Sequence, residues 1–541
     1  MSAARASLVL RGQVVVAALP DRLESAEAIG IADGRVVSAG PDREVLAGAA
    51  PGAAVIDARD AAIVPGIHDF HLHLVGMARA RRGLGLDEAV DYQALLEAVS
   101  RRAAQLPPDE WLTGRGWSQA NLDAGRLPSL ETAVGERPTF LVSHDLHSAW
   151  ASAAARRLAG VVAGTPDPSG GRLERDASGE PNGILRESAT EIVNRIAGRL
   201  RGEGLAAAMD ETLAELGAFG ITGATDAGDY DDANGVGELA AFGDSFSSLA
   251  ELAERIAPRL RLTLDVPSDA IPAATERGLR TGAPFAGMRF GWAKAFADGA
   301  LGSRTAALFA PYSCDEAVGT GILRLPPERL DAIVGAARPA GIGLAIHAIG
   351  DRAAAAVLDA LEAGPPRRAA ASDRLEHAQL LRQADRARFA PLRLTASMQP
   401  IHAPADREAA ERCWAGRTGD AFAWRSLSAA GALLAFGSDA PVETANPWLG
   451  LFAAVRRRSP TESDPRWHLE QALDPVAALS AYTRAPAVAI GAAEEGHLRP
   501  GAHADLAVLS VDLPTLLAAD ERLATVHADL TLVGGRETHR S

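Results

Sequence analysis

Short apolar segments alternate with Ala-rich stretches carrying Arg and Glu from about residue 61 to residue 489 of the 541-residue chain. This alternation is typical of parallel α/β folds, in which each strand is followed by a helix that covers the sheet. Eight such strands predict a closed (β/α)8 TIM barrel rather than an open doubly wound sheet. No G-x-G-x-x-G motif follows a strand, so a dinucleotide-binding sheet has little support. The predicted strands are Ala62–Asp69, Gly220–Asp226, Arg259–Val266, Met288–Phe296, Gly341–Ile346, Arg374–Ala378, Arg393–Gln399 and Ala432–Asp439.

The two ends of the chain have a different sequence pattern from the middle. Short β-type segments separated by turn signals fill residues 1–60 and recur in residues 490–541, which is the pattern of a small β domain. We therefore predict one β-sandwich built from both termini. About 150 residues separate the first predicted strand from the second, which is too long for a βα loop. We expect an insertion, partly β, at about residues 100–190.

Composition and charge limit the partners that the chain can bind. The net charge is −15, which argues against a nucleic-acid-binding or anionic-membrane surface. No apolar run approaches the roughly 20 residues of a membrane helix, and the N-terminal segment lacks the unbroken apolar core of a signal peptide. The two cysteines, Cys314 and Cys413, fit no metal spacing and make no disulfide framework. We expect a small-molecule substrate and a reducing, cytoplasmic location.

Ligand-type side chains mark the C-terminal ends of five predicted strands. The first strand runs into His71 and His73, which point to the same side of an extended chain. All five strand ends lie where barrel active sites are built, and imidazole and carboxylate groups gathered there predict a metal centre. The residues are His71 and His73 on the first strand, Lys294 on the fourth, His347 on the fifth, His377 on the sixth and Asp439 on the eighth.

The motifs around these residues resemble the amidohydrolase superfamily of metal-dependent hydrolases. The resemblance covers nearly the whole chain, from PGIHDFHLH at 65–73 to LRPGAHADL at 498–506. Five shorter segments are similar to the sequences of one subgroup, amidohydrolase family 3, which contains N-substituted formamide deformylases. The segments that carry this finer resemblance are KAFADGALGSRTA (294–306), HAIGDR (347–352), RLEHAQ (374–379), SMQPIH (397–402) and GSDAPV (437–442).

The resemblance implies a centre of two divalent metal ions. By that resemblance, His71, His73 and Asp439 would hold one ion, and His347 and His377 the other. Imidazole and carboxylate ligands suit zinc, which is the ion we expect, and they also suit Mn, Fe or Co.

A carboxylated lysine would bridge the two ions, and Lys294 has the position for it. It is the one Lys among 54 Lys and Arg residues. A neutral amine can add CO2 to give an anionic carbamate, whereas a guanidinium stays protonated and cannot. The alternatives are that Lys294 is a plain cation, or that the site holds a single ion, as in the deaminases of the superfamily. Those enzymes place a Glu beside the strand-5 His, and no Glu lies near His347 here. Glu376 directly precedes His377 and is expected to point away from the site.

The resemblance also implies the chemistry. A water shared by the two ions would act as hydroxide on the substrate carbonyl, while Asp439 takes its proton and returns it to the leaving nitrogen. Softer candidates surround this centre. His402 is expected to donate to the substrate oxygen or to the leaving group. Asp351 is expected to accept a hydrogen bond from a ligand His and so to orient its ring. The remaining candidates would contact substrate, and they are Arg304 and Asp298 in the loop after strand 4 and His147 and Trp117 in the insertion.

We therefore expect a metal-dependent hydrolase that cleaves a C–N amide-type bond of an N-acyl or N-formyl amine. A cyclic amide, lactone or ester hydrolase on the same centre stays open, as does a catalytically inactive ligand-binding homologue. The presence of every ligand position and of Asp439 disfavours the inactive reading. The terminal β domain and the resemblance to the family favour a homodimer.

Overall fold

The computed structural model describes residues 4–87, 89, 91–107, 110–118, 130–168, 170–198, 200–228, 237–461 and 467–541. The strands are β1 Ala6–Leu19, β2 Arg22–Ala32, β3 Arg35–Gly40, β4 Ala49–Pro65, β5 Ile67–Leu72, β6 Leu84–Gly85, β7 Leu112–Trp117, β8 Thr139–Ser143, β9 Ser148–Ala151, β10 Gly171–Arg175, β11 Pro181–Glu187, β12 Ile221–Asp226, β13 Arg261–Pro267, β14 Pro284–Phe285, β15 Met288–Phe296, β16 Leu344–Ala348, β17 Arg374–His377, β18 Thr395–Met398, β19 Leu433–Phe436, β20 Leu506–Leu509, β21 Ala528–Val533 and β22 Arg536–Arg540.

The helices cover the barrel and connect its strands. They are α1 Asp42–Ala47, α2 Leu74–Ala80, α3 Tyr92–Gln105, α4 Glu131–Val134, α5 Ala153–Leu158, α6 Thr190–Asn194, α7 Gly202–Ala218, α8 Asp244–Glu251, α9 Ala253–Ile256, α10 Ile271–Glu276, α11 Pro327–Ala340, α12 Asp351–Ala363, α13 Gln383–Arg386, α14 Phe389–Leu392, α15 His402–Cys413, α16 Trp424–Ala429, α17 Pro447–Arg456, α18 Pro475–Tyr482, α19 Arg484–Ile490 and α20 Leu513–Ala518. Short 3-10 helices occupy Gly237–Phe242, Ser268–Ala270, Glu316–Val318, Thr418–Asp420, Leu469–Gln471 and Glu521–Thr525.

Both ends of the chain contribute strands to one β domain, so the additional β domain predicted from the sequence is confirmed, and its being a sandwich stays a prediction. Its seven strands form a single hydrogen-bonded sheet in the order β22-β21-β20-β4-β1-β2-β3. N-terminal β4 pairs with C-terminal β20, with Ile63 opposite Val508. Fully buried side chains from both termini, such as Leu10, Ile29 and Leu506, share one apolar cluster. Each such burial stabilises the fold by about 1.5–3 kcal/mol, so this domain depends on both ends of the chain.

The middle of the chain forms the predicted (β/α)8 TIM barrel. Its eight parallel strands follow chain order from β5 through β12, β13, β15, β16, β17 and β18 to β19, and the short β14 pairs only with β15. The first and last strands meet at their carboxyl ends, where Asp439 N donates to His71 O at 2.7 Å and His73 N donates to Ala440 O at 2.7 Å. The predicted (β/α)8 barrel is therefore confirmed, and its eight parallel strands form a nearly closed ring.

The predicted first strand, Ala62–Asp69, spans two domains in the structure. Ile63 to Pro65 belong to β4 and pair with β20 of the terminal sheet, and the barrel strand β5 begins only at Ile67. Gly66 separates the two strands, and a Cβ at this position would lie 1.9 Å from Thr222 Oγ1 of the adjacent barrel strand. An unbroken apolar run conceals this boundary, because both strands are buried.

An arginine lies within the barrel below the carboxyl ends of the strands. Arg374 is fully buried, and its guanidinium carbon lies 4.4 Å from the ring centre of Phe70 and 4.5 Å from that of Trp292. The two rings pack edge to face at 5.7 Å. Such stacking suits a planar guanidinium. Arg374 Nε donates to Glu376 Oε1 at 2.5 Å. This hydrogen bond connects the buried guanidinium to the carboxyl end of β17.

The long connection between β5 and β12 contains the expected insertion. Its strands form a separate sheet in the order β10-β11-β9-β8-β7-β6, so the β portion runs from Leu84 to Glu187. Trp117, Leu141 and Trp150 are buried in its core. Of the Gly-containing stretch from residue 111 to residue 127, residues 119–127 lie outside the described residues.

The expectation that the two cysteines are separate thiols is wrong. A disulfide joins Cys314 and Cys413, whose Cα atoms are 4.5 Å apart and which are 99 residues apart in sequence. Neighbouring residues in a fold need not share a sequence motif, so spacing could not reveal this pair. The bond ties the long segment after β15 to the C-terminal end of α15. Within the described part of the chain, no helix is both long enough and apolar enough to cross a membrane.

Candidate metal centre

The carboxyl ends of β5 and β19 bring two histidines onto one carboxylate. His71 Nε2 lies 3.3 Å from Asp439 Oδ1, and His73 Nε2 lies 3.1 Å from the same oxygen. The two side chains share one side of the strand because residues two apart in an extended chain do so. Asp69, on the same strand, accepts from the backbone N–H of His71 at 3.3 Å and of Ser438 at 3.0 Å. This carboxylate therefore fixes the first and last strands against each other directly beneath the site.

The histidines of β16 and β17 face this group. The ring centres of His347 and His377 are 4.5 Å apart, and those of His71 and His377 are 4.9 Å apart. Ligand atoms of His71, His377 and Asp439 all lie within 4.8 Å of one another. This buried set draws members from both of the ligand groups that the sequence predicts.

Every one of these four imidazoles has an acceptor for one of its ring nitrogens. The Nδ1–H of His377 donates to Gln399 Oε1 at 2.8 Å, and the Nε2–H of His347 donates to Gly299 O at 3.1 Å. The Nδ1–H of His71 donates to Glu376, and that of His73 donates to the carbonyl of residue 228. Metal-ligating histidines show this pattern, because the partner fixes the tautomer and leaves the second nitrogen for the ion.

Burial and neighbouring groups shift the pKa of three residues in the centre. Burial lowers the pKa of His347 and of His377 well below the ordinary value, so both rings are neutral ligands. Burial opposes ionisation of Asp439, but the nearby His71 and His73 hold its pKa well below the usual range. Imidazoles together with a carboxylate form a donor set that divalent transition metals prefer. The residues present therefore fit the metal ions that the pattern implies.

Lys294 lies inside this group. It is buried, and its Nζ is 3.4 Å from His71 Nε2 and 4.9 Å from the ring centre of Phe296. Burial lowers the pKa of this amine below its ordinary value. A neutral amine is the form that adds CO2, so the surroundings favour the chemistry expected of Lys294.

Two of the ligand-type residues adopt the left-handed backbone conformation. The φ angle is +70° at His377 and +61° at Asp439, a region that residues with a Cβ seldom occupy. Such conformations persist only where the surrounding structure enforces them, and they are concentrated at functional sites. At both positions the strand alternation ends, which turns the side chain toward the centre.

The expectation that Glu376 points away from the site is wrong for the same reason. Strand alternation directs Glu376 into the barrel, where it is fully buried between Arg374 and His71. The left-handed turn at His377 then brings the next side chain to the same side. Burial opposes ionisation of Glu376, but the guanidinium of Arg374 and the ring of His71 hold its pKa well below the usual range. Glu376 is therefore an anionic support for His71.

A small cavity of about 50 Å³ lies in front of the centre. His347, His377 and Asp439 line its floor, and His402 and His147 line its walls. His402 Nδ1 accepts from Gln379 Nε2 at 3.3 Å, so its Nε2 carries the proton, and this atom lies 3.8 Å from Asp439 Oδ2. Among the described residues this buried Nε2 has no hydrogen-bond partner, which leaves it as a donor for a bound molecule.

His147 reaches the cavity from the insertion. Its Nδ1 donates to Glu187 Oε2 at 3.0 Å, and its ring centre is 5.0 Å from that of His347. Glu187 is fully buried and also accepts from Thr305 Oγ1 in the loop after β15. Sequence reasoning missed Glu187 altogether, since 40 residues separate it from His147 and no motif connects the two.

The sequence of residues 54–539 matches the model of the Amidohydrolase family. The chain belongs to this family. Among its relatives, YtcJ of Bacillus subtilis (strain 168) is 32% identical over 463 residues, 84% of this chain and 85% of that protein. The N-substituted formamide deformylase of Arthrobacter pascens is 30% identical over 528 residues, 91% of each chain. An uncharacterized metal-dependent hydrolase from Pyrococcus horikoshii OT3 has a TM-score of 0.73 at 25% identity, covering 95% of this chain and 99% of that chain. The amidohydrolase is thus a metal-dependent hydrolase in fold and family.

Four further candidates in the amidohydrolase lie outside the cavity lining. Trp117 is buried in the core of the insertion and donates through Nε1 to Leu141 O at 2.8 Å, so it forms no aromatic wall. Asp298 accepts three backbone hydrogen bonds, from residues 307, 349 and 350, and burial raises its pKa to about 7. It joins the loop after β15 to the end of β16.

The other two candidates also support loops around the amidohydrolase centre. Arg304 NH1 donates to Asp315 Oδ2 at 2.9 Å within the segment after β15. Asp351 Oδ1 accepts from Phe309 N at 3.0 Å, which joins the start of α12 to the same segment. No hydrogen bond from Asp351 to a ligand His appears among the described residues.

Proposed function

We propose that this amidohydrolase cleaves the C–N bond of N-acyl amines with a small acyl group, N-formyl amines above all. The observation that carries the proposal is the convergence of four oriented imidazoles with Asp439, beside a cavity of about 50 Å³ that His347, His377 and Asp439 line. That volume has room for a few water molecules or for an acyl group of one or two carbons. The similarity to the N-substituted formamide deformylase of Arthrobacter pascens supports the same choice of bond.

His71, His73, His347, His377 and Asp439 would hold two divalent ions, zinc being the ion we propose. Bound ions supply Lewis-acid polarisation of a carbonyl and lower the pKa of a water molecule.

The protein's own groups then direct the proton. Asp439 accepts a proton from the attacking water and delivers it to the leaving nitrogen. His402 Nε2–H lies 3.8 Å from Asp439 Oδ2 and donates to the carbonyl oxygen, whose negative charge grows as the tetrahedral intermediate forms. Both groups face the same cavity, so one amide can meet them together.

A substrate panel tests the proposed reaction. Purified protein supplied with Zn²⁺ should release amine from N-formyl amines and more slowly from N-acetyl amines. Esters and lactones of similar size are the competing class. Faster turnover of lactones or esters than of any amide would refute the choice of bond, and a metal-loaded protein inert to the whole panel would favour a binding role.

Substitution of Asp439 tests the proton route. Asp439→Asn should lower kcat by about 10²–10⁴-fold, because a positioned acid–base group contributes that much. The exposed Asp529→Asn in the terminal domain is the matched control and should leave kcat unchanged. Retained turnover in Asp439→Asn with a full metal load would contradict the assigned role.

We also propose that Lys294 is carboxylated. Native mass spectrometry should show an increment of 44 Da, the mass of CO2, that is lost on acidification, and Lys294→Ala should lose one metal equivalent. Lys294→Arg keeps the charge but cannot form a carbamate, so it should lose the same equivalent. A full metal load in Lys294→Arg would show that the residue acts as a cation. The cytoplasmic location and the homodimer stay predictions.

A further inference from the structure

A second and larger cavity lies beside the metal centre, between helix α2 and the insertion. Its volume is about 600 Å³, within the range of small-molecule sites. The walls are mostly apolar and include Ala80, Trp111, Phe140, Val142, Leu146 and Leu200. The proposed reaction has not used this space.

The large cavity lies one residue away from Asp439, the group proposed to protonate the leaving nitrogen. His73 lines the cavity, and its Nε2 lies 3.1 Å from Asp439 Oδ1. Pro441, two residues after Asp439, lines it as well, and Leu146 stands between two residues that line the small cavity. One imidazole ring therefore separates the large cavity from the carboxylate that protonates the amine.

The guanidinium groups in the cavity wall contact other protein groups. Arg79 forms an ion pair with Asp244 at 2.6 Å, and Arg82 forms one with Glu211 at 2.7 Å. Arg115 donates to a backbone carbonyl of the loop after β19. These guanidinium groups are engaged by the protein, so the cavity offers its apolar walls to a ligand rather than a free positive charge.

We propose that this cavity binds the N-substituent of the substrate, an uncharged alkyl or aryl group of several carbons, while the acyl group occupies the small cavity. The proposal rests on the proposed function, because it assigns the two sides of the amide to two cavities of unequal size. A small acyl group and a bulky amine then define the substrate class. Asp439 lines the small cavity, and the ring of His73 beside it lines the large one.

Steric filling of the large cavity tests the assignment. The probes are N-methylformamide, N-butylformamide and N-(2-phenylethyl)formamide, with turnover measured on the Zn²⁺-loaded enzyme. In the wild type, kcat/KM should rise by about 100-fold or more from the methyl to the phenylethyl compound, since each buried methylene discriminates strongly. Val142→Phe and Ala80→Phe fill the cavity from β8 and from α2, and each should reduce that ratio at least tenfold. Val162→Phe is the matched control, because Val162 lies on the insertion surface with 62% exposure, and it should keep the wild-type ratio.

Calorimetric titration of N-(2-phenylethyl)formamide separates this proposal from the proposed function. If the wild type hydrolyses none of the formamides, the proposed reaction fails, and binding alone decides the role of the cavity. Saturable binding that both filling variants weaken at least tenfold would retain the cavity as an apolar subsite. A wild-type ratio that both folded filling variants leave unchanged, or binding that they do not weaken, would overturn the proposal. The thermal midpoints of both variants establish that they are folded.

Discussion

Glu376 is the residue whose removal best separates support of the metal centre from support of the fold. It is fully buried and receives hydrogen bonds from Arg374 Nε and His71 Nδ1. We expect Glu376→Gln to weaken both functions, because the amide keeps the shape of the side chain and removes its charge. The two effects can be measured independently.

The structure sets the size of the stability loss. Breaking a buried ion pair by removing one partner costs about 3–5 kcal/mol, since it leaves an uncompensated charge. Asp265 Oδ2 remains 3.6 Å from Arg374 NH2 and offers partial compensation. We therefore expect a free energy of unfolding lowered by about 3 kcal/mol, measured by urea denaturation of the metal-free protein.

The second effect concerns the metal. Loss of the group that orients a ligand histidine costs about 10–100-fold in metal affinity, and Glu376 orients His71. Competition with a chelator of known Zn²⁺ affinity measures this loss. Glu376→Asp keeps the charge but shortens the side chain, so it should retain more stability than Glu376→Gln while still misplacing the imidazole.

A matched control lies at the opposite end of the same strand. Asp373 forms a buried ion pair with Arg338 at 2.9 Å. It directly precedes β17, so it lies at the end of the strand opposite to the metal-facing His377. Asp373→Asn should cost a similar stability and leave Zn²⁺ affinity unchanged. The reasoning is refuted if Glu376→Gln keeps the wild-type Zn²⁺ affinity, or if Asp373→Asn loses affinity to the same extent.

Three further predictions follow from individual contacts. The carboxylates of Asp87 and Glu443 raise the pKa of His144 to about 10, so the contact of the insertion with the barrel loop should be fully stabilised below about pH 6.5 and weaken as pH rises toward 10. The imidazole is more than one-third exposed, which limits the effect on stability to about 1 kcal/mol. Proteolysis of the insertion should accelerate between about pH 6.5 and pH 10 in the wild type. His144→Gln should show no such pH dependence. Replacing Cys413 by Ser should lower the free energy of unfolding by about 2–4 kcal/mol through loss of the disulfide, and denatured wild type without reductant should show no titratable thiol. Trp117→Phe should cost about 1 kcal/mol, because a buried carbonyl loses its donor, and it should leave the ranking of substrates by kcat/KM unchanged; an altered ranking would restore the residue to the substrate site.

The sequence was sufficient for the elements that follow a regular period. Eight strands and the terminal β segments are visible because apolar side chains recur with the strand and helix periods. The positions of His71 and His73 follow from strand alternation alone. Strand alternation counted from His377 gave the wrong direction for the Glu376 side chain, because the backbone leaves the extended conformation at His377. No residue type there signals a left-handed turn.

Contacts between distant segments were the other source of error. The pairs His147–Glu187 and Cys314–Cys413 are 40 and 99 residues apart, and each depends on how the insertion or a long loop packs against the barrel. Periodicity describes a single element and carries no information about such packing. Trp117 shows the same limit, since an aromatic residue near a Gly-rich segment can line a cavity or fill a core.

The division of work between barrel and insertion has a physical reason. Metal ligands must be held to within a fraction of an ångström, and the barrel supplies them from strand ends with buried supports such as Glu376 and Gln399. The insertion contributes part of the walls of both cavities, where a change of one side chain alters the shape available to a substrate without disturbing a ligand. His147 is the exception, because Glu187 and the hydroxyl of Thr305 attach it to the barrel loop. Exchange of insertion residues that face the large cavity should therefore change which amine leaves, whereas exchange of Glu187 should affect turnover of every substrate.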